Sequence, residues 1–163
     1  EAIKHLAHEL VSRNITCIYG GSNSGLMKLL ADTILAAGGN IIGVTVKTLH
    51  DKEIFHTGLP ELHVTDTMHQ RKAMMASLAD GFITFPGGLG TLEEFFEIFT
   101  WKKLGIHNKP CALLDVNNYF APMMSMLEHS EQEGFVLPTD KDLLIRSDNV
   151  TDILDQMFAH SAA

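Results

Sequence analysis

The sequence predicts an α/β fold with an open, mostly parallel sheet and helices on both faces. Short apolar runs of strand length alternate with segments of helical periodicity along the whole chain. Glycine-rich turns at residues 20–25 and 86–90 each follow a strand and precede a helix. Strand, turn, helix and strand recur within about thirty residues, the spacing of a parallel unit with a crossover helix. Together these observations indicate a Rossmann-like architecture.

Hydrophobic periodicity predicts the helices and strands and their order along the chain. Helices are predicted over residues 2–13, from Leu26 to a stop at Gly38-Gly39, and over 68–79, 91–104, 119–133 and 151–160. Strands are predicted over residues 15–19, 41–46, 62–64, 81–85, 111–114 and 143–145. Residues 47–60 show no clear period and follow a strand, on the side where such sheets bind ligands. We interpret them either as a mobile flap over a site or as a passive connection.

Composition narrows the classes of function. The 163 residues, 45% of them apolar, fit one domain over residues 1–163. A net charge of −8 argues against a nucleic-acid surface. No apolar run approaches the roughly 18 residues of a membrane helix, and no signal peptide is visible, so we expect a cytoplasmic protein without membrane or nucleic-acid partners. Cys17 and Cys111 lie in apolar strands, and we expect buried thiols.

The second glycine-rich turn has the features of an anion site. It is followed by Thr91 and Glu94, at the spacing of a capping box, so we predict that the helix begins at Thr91. Helix N-termini offer backbone N–H groups and a positive dipole end to a phosphate. From the spacing alone, Glu94 is a helix cap or a functional carboxylate. Arg71 is a solvated arginine or a donor fork for phosphate or ribose oxygens.

Four blocks of the chain resemble the Lonely-guy (LOG) family, in family order. The segment from Pro86 to Glu94 resembles its PGGxGTxxE signature, and the segment from Tyr19 to Met27 resembles YGGGxxGLM. Met68 to Lys72 resembles MHxRK, and the region from Thr100 to Pro110 resembles the segment after the signature helix. Members often carry the label "possible lysine decarboxylase". The resemblance implies hydrolysis of a nucleoside 5′-monophosphate, AMP or a cytokinin riboside monophosphate, to free base and ribose 5-phosphate.

The resemblance also implies site residues. Glu94 corresponds to the catalytic glutamate and Arg71 to the arginine that acts with it. The implied substrate and phosphate contacts are Gly20, Gly21, Ser22, Arg71, Lys72, Gly87, Gly88, Leu89, Gly90, Thr91 and Glu94. Lys72 is interpreted as supporting charge or as surface. No cofactor and no metal are expected. The family implies a homodimer, for which Trp101 is either an interface or a core residue. It also implies an N-terminal strand that this chain lacks.

Departures from the family pattern leave rival functions open. Ser22, Lys28 and Met74 stand where the family has glycine, glycine and an acidic residue. A non-catalytic nucleotide carrier or sensor, similar to the molybdenum-cofactor carrier, is the alternative. Lysine decarboxylation is the weakest interpretation, because it requires pyridoxal phosphate on a lysine.

Overall fold

The structure, a computed structural model, describes residues 1–51 and 54–161. By its contacts the chain divides into two compact units, Glu1–Ala79 and Asp80–Ala163. Each unit is built around a three-stranded parallel sheet.

The first unit holds one half of the strands. Its helices are α1 (Ala2–Ser12), α2 (Gly25–Ala36), α3 (Lys47–His50) and α4 (Met68–Leu78). Its strands are β1 (Cys17–Tyr19), β2 (Ile41–Val46) and β3 (Glu61–Thr65), in the spatial order β1-β2-β3. Helix α1 packs on α2, and α4 packs on the strands. The apolar faces of these elements meet in a buried core that includes Leu6, Ile34, Ile41 and Val44.

The second unit repeats the pattern. Its strands are β4 (Phe82–Thr84), β5 (Cys111–Leu114) and β6 (Leu144–Ser147), in the order β4-β5-β6. Its helices are α5 (Leu89–Lys103), α6 (Ala121–Gln132), α7 (Pro138–Lys141) and α8 (Val150–Ser161). Strand β5 is buried along its whole length, as expected of the central strand of a parallel sheet. Phe95 of α5, Leu113 of β5 and Phe120 before α6 form the centre of the core.

The predicted fold class is confirmed, since every strand pairing in the described residues is parallel and helices separate the strands. Each predicted helix and strand has a counterpart. Strands β2 and β5 match the prediction at both ends, and the other ends coincide with it or differ by at most three residues. The short helices α3 and α7 are additional. That residues 1–163 form a single domain stays a prediction.

The two cysteines are buried and unpaired, as the sequence predicts. Burial raises the pKa of the Cys17 thiol to about 12 and that of the Cys111 thiol to about 11. Across residues 1–51 and 54–161, none of the helices combines the length and the apolar character needed to cross a bilayer.

Candidate active site

Arg71 lies in the first unit, on the first turn of α4. The helix begins with a capping box. The Thr67 hydroxyl accepts from the Gln70 N–H at 3.2 Å, and the Gln70 side-chain oxygen accepts from the Thr67 N–H at 3.1 Å. This cap fixes the start of α4 at Met68, so Arg71 is the fourth helical residue and points back towards the sheet.

The guanidinium of Arg71 is held inside the unit. Only 8% of the residue is exposed. Its Nε donates to the main-chain carbonyl of Val44 on β2 at 2.8 Å, and its Nη1 contacts the sulfur of Met68 at 3.6 Å. A β-carbon built on Gly20 would lie 2.2 Å from Nη2 of Arg71. The structure therefore brings together Arg71 and the first residue of the glycine turn, which the sequence could only align with a family.

Gly20 and Gly21 directly follow β1, at the carboxyl end of a parallel strand. Gly21 has a φ of +73°, a conformation that L side chains rarely adopt, and a β-carbon there would meet Leu62 at 3.2 Å. The Ser22 hydroxyl lies 3.1 Å from that of Ser24. The turn thus requires glycine at position 21 for its backbone conformation and at position 20 to leave room for the Arg71 guanidinium.

Lys72 and Lys28 differ in their surroundings. Lys72 is buried, with 7% of its surface exposed, which excludes the surface alternative, and its role as a supporting charge stays a prediction. Helix α4 buries two adjacent cations because its first turn lies against the sheet. Lys28 is exposed and pairs with Asp32 at 2.6 Å on the solvent side of α2.

A buried histidine, which the sequence analysis missed, ties residues 54–58 to the glycine turn. The His56 N–H donates to the Gly21 carbonyl at 2.8 Å, and Ser22 forms a β-bridge with Phe55. The Gly58 N–H donates to Nδ1 of His56 at 3.1 Å, so the proton lies on Nε2, which donates to Asp32 at 2.9 Å. Hydrogen bonds from His56 and then Lys28 lower the pKa of Asp32. The described part of residues 47–60 is therefore fastened to the turn, and its mobility stays a prediction.

The signature loop lies in the second unit, between β4 and α5. Helix α5 begins at Leu89, and its N-cap is Gly88 in an extended conformation. The predicted capping box of Thr91 and Glu94 was therefore wrong. The Gly88 carbonyl accepts the first helical hydrogen bond from Leu92 at 3.1 Å. Thr91 is consequently the third residue of the helix, and Glu94 lies in its second turn, partly exposed.

The N-terminus of α5 has backbone N–H groups at a glycine-rich turn and no side-chain cap. Its first turn, all within the described residues, carries no acidic side chain that would neutralise the dipole. A β-carbon on Gly88 or Gly90 would meet no protein atom within 4 Å. Gly87 differs, because a β-carbon there would lie 2.2 Å from Oγ1 of Thr91. Leu89 turns its side chain outward, with 87% of the residue exposed, so only its backbone can serve the loop.

This loop can accept an anion such as phosphate. The first N–H groups of a helix lack intrahelical partners, and glycine lets a ligand approach them closely. Among residues 1–51 and 54–161, no three His, Cys, Asp or Glu side chains gather as metal ligands.

Tyr119, which the sequence analysis also missed, donates from its hydroxyl to the Gly87 carbonyl. No local pattern around Tyr119 signals that contact in the sequence.

Comparison with known proteins shows the lineage. The family model described as "Possible lysine decarboxylase" matches residues 27–157. The chain is 46% identical over 141 residues to a cytokinin riboside 5′-monophosphate phosphoribohydrolase of Rhodococcoides fascians, covering 86% of this chain and 71% of that protein. It is 41% identical over 157 residues to the Arabidopsis thaliana protein of that name, LOG1, covering 96% and 74%.

A solved structure shares the fold. The molybdenum cofactor binding protein of Rippkaea orientalis superposes with a TM-score of 0.69 at 16% identity, covering 96% of this chain and 84% of that one. At that identity the likeness concerns the fold alone. Sequence similarity establishes the family: the chain belongs to the family described as "Possible lysine decarboxylase", within its Lonely-guy (LOG) group.

Proposed function

We propose that this protein hydrolyses the N-glycosidic bond of a purine or cytokinin nucleoside 5′-monophosphate. Water adds to C1′ of the ribose, the C1′–N bond breaks, and the base leaves with a proton, so that free base and ribose 5-phosphate are formed. The observation that carries the proposal is the membership of a group whose relatives at 41 and 46% identity are named for this reaction.

The N-terminal loop of α5 supports a role in holding the 5′-phosphate. Gly87, Gly88, Leu89, Gly90 and Thr91 supply backbone N–H groups and a hydroxyl at a helix end without acidic side chains. Phosphate is distant from the bond that breaks. Binding energy gained there positions the sugar without requiring a further charged side chain at the reacting carbon.

From the family resemblance we assign the carboxylate of the reaction to Glu94, in the second unit, and an orienting guanidinium to Arg71, in the first unit. As C1′ loses the base it develops oxocarbenium character, which a carboxylate stabilises, and the same carboxylate can orient or deprotonate the attacking water. Arg71 would orient phosphate or ribose oxygens with its planar fork. Gly20 borders the guanidinium and, with Gly21 and Ser22, would line the nucleotide, with Lys72 as a supporting buried charge.

Base release tests the proposal directly. AMP and isopentenyladenosine 5′-monophosphate are incubated with the protein, and free base is followed by chromatography. We expect Glu94→Gln and Arg71→Ala to lower kcat/KM by about a hundredfold or more. Glu93→Gln, on the exposed side of the same helix, and Arg13→Ala, in a surface pair with Glu9, are the matched controls.

Two other outcomes would replace the proposal. Binding of AMP without release of adenine would make the protein a nucleotide carrier or sensor. An absorbance band near about 420 nm in the purified protein would indicate an internal aldimine of pyridoxal phosphate and favour decarboxylation.

A homodimer belongs to the same proposal. Leu104 and Ile106, just after α5, are large apolar residues on the surface of the second unit. Single apolar residues on a surface are common, so they support a partner only together with the family resemblance. Light scattering of the protein as it elutes from a size-exclusion column gives the oligomeric state. The double variant Leu104→Glu, Ile106→Glu should shift a dimer towards monomer.

A further inference from the structure

The hydroxyl of Tyr119 contacts the signature loop from outside its sequence motif. It donates to the main-chain carbonyl of Gly87 at 2.6 Å, a short hydrogen bond. Both residues belong to the unit Asp80–Ala163. The tyrosine is 49% exposed, so core packing alone does not explain the presence of a hydroxyl at this position.

A network of contacts around the buried Asp115 holds Tyr119 in place. The neighbouring Phe120 is fully buried, and the two rings meet edge to face with centroids 5.1 Å apart. The Phe120 N–H donates to Oδ1 of Asp115 at 2.8 Å. Arg146 on β6 donates from Nε to the other oxygen of Asp115 at 2.7 Å and from Nη2 to Asn118 at 2.8 Å. The hydroxyl is thus presented by a rigid corner rather than by a loose loop.

The acceptor is a peptide group with little intrinsic preference for its orientation. The peptide between Gly87 and Gly88 is flanked by glycines on both sides, so rotation of its plane meets no β-carbon. In a trans peptide the C=O and the next N–H point in opposite directions. Holding the Gly87 carbonyl against Tyr119 therefore fixes the direction of the Gly88 N–H, the N-cap donor of α5.

We propose that Tyr119 is a positioning residue for phosphate. Its hydroxyl locks the Gly87–Gly88 peptide so that the Gly88 N–H faces away from Tyr119. A ligand can approach this peptide because the side of Gly88 on which a β-carbon would lie is open. The inference rests on the proposed function, because the phosphate is the group that this donor would meet. Tyr119 acts through the loop and takes no part in bond cleavage.

The test compares Tyr119→Phe with the wild type. Phenylalanine keeps the ring and its packing on Phe120 and removes only the hydroxyl. The dissociation constant of ribose 5-phosphate is measured by calorimetry, and kcat and KM are measured for AMP. We expect the dissociation constant and KM to rise together by about three- to tenfold, with kcat within about twofold of wild type, as for loss of one hydrogen bond that orients a binding group.

A second variant separates the hydroxyl from the ring. Tyr119→Leu removes both, and we expect at least the same loss of affinity. A variant Tyr119→Phe that binds ribose 5-phosphate as tightly as wild type contradicts the inference, whatever Tyr119→Leu does. A fall in kcat at unchanged affinity also contradicts it, since that would place Tyr119 in the chemistry. A lower melting temperature with unchanged affinity would make the contact merely structural.

The same experiment distinguishes this inference from the proposed reaction. Wild-type protein that binds ribose 5-phosphate but releases no base would overturn the reaction, and the affinity of Tyr119→Phe would still decide the role of Tyr119. If wild-type protein releases base without measurable affinity for ribose 5-phosphate, the reaction stands, and an unchanged KM for AMP in Tyr119→Phe would contradict the inference.

Discussion

The guanidinium of Arg71 fills the space that a side chain at position 20 would need: a β-carbon on Gly20 would lie 2.2 Å from Nη2 of Arg71. Real β-carbons do not approach a nitrogen that closely, so the guanidinium occupies this place only because residue 20 has no side chain. The glycine turn after β1 and the arginine of α4, which are fifty residues apart in sequence, are therefore one structural feature.

Gly20→Ala should displace the guanidinium while leaving the fold nearly intact. Gly20 is not among the residues with positive φ, so alanine can adopt its backbone conformation. We expect kcat/KM for AMP to fall by about ten- to a hundredfold, because small misplacements of a positioning group have effects of that size. The free energy of unfolding should change by about 1 kcal/mol or less. The double variant with Arg71→Ala should lose no more activity than Arg71→Ala alone. Additive losses would contradict this account.

Gly87→Ala and Gly90→Ala should have opposite effects on stability. At Gly87 the new methyl would lie 2.2 Å from Oγ1 of Thr91, and such overpacking destabilises by about 1–3 kcal/mol. At Gly90 the methyl meets no protein atom, and alanine stabilises a helix by about 0.5–1 kcal/mol relative to glycine. Urea unfolding measures both changes. KM for AMP should nevertheless rise at least about tenfold in Gly90→Ala, equivalent to 1.4 kcal/mol, because the methyl takes the space of the phosphate. An unchanged KM would place the ligand elsewhere.

Two conservative substitutions separate the hydrogen bonds of His56. Asparagine carries an acceptor close to the position of Nδ1 and can keep the bond from Gly58, while glutamine reaches the position of Nε2 and can keep the bond to Asp32. We expect each variant to be destabilised by less than His56→Ala, which loses both bonds and about 1–3 kcal/mol. Hydrogen exchange of the Gly58 amide should accelerate in His56→Gln and in His56→Ala but much less in His56→Asn. Equal acceleration in all three would show that the ring, and not its nitrogens, fastens the segment.

Protonation of Asp140 in acid should lower the stability of the second unit. The Lys103 ammonium, which donates to Asp140 at 2.6 Å, holds the pKa of this carboxyl below its ordinary value of 3.8, against the opposing effect of burial. A carboxyl with a depressed folded pKa contributes stability that is present above the unfolded pKa and is lost as pH falls through the folded one. We therefore expect the difference in free energy of unfolding between wild type and Asp140→Asn to be constant near neutral pH and to shrink below about pH 4. A difference that does not shrink in acid would contradict this role of Asp140.

The fold was predictable from the sequence because each strand and helix has its own periodicity and the glycine turns mark where helices follow strands. The start of α5 was not. Thr91 and Glu94 have the spacing of a capping box, but Gly88 caps the helix through its backbone alone and leaves no side-chain signal. Thr67 and Gln70, by contrast, form a capping box with side-chain hydrogen bonds at the start of α4.

The site residues were predictable only in part, for a related reason. Arg71 was identified through the family blocks, but its burial depends on a carbonyl of β2, and any residue type at position 44 supplies that group. The two interpretations of Lys72 could not be separated from the sequence, because its burial follows from how closely the start of α4 lies against the sheet. His56 and Tyr119 hold the two loops by contacts that join residues distant in sequence, which neither periodicity nor motif spacing encodes.

The hydrogen bond from Arg71 to Val44 has a consequence for how this site can change. Its acceptor is a main-chain oxygen, so no point mutation at position 44 deletes it, and only the arginine end is open to substitution. Variants that repack β2 should therefore keep the guanidinium oriented as long as the strand keeps its register with β3, in which Val44 stands opposite His63. A library designed to change the preferred base can accordingly keep Gly20 and vary the other side chains around the nucleotide while the orientation of the arginine is inherited from the backbone.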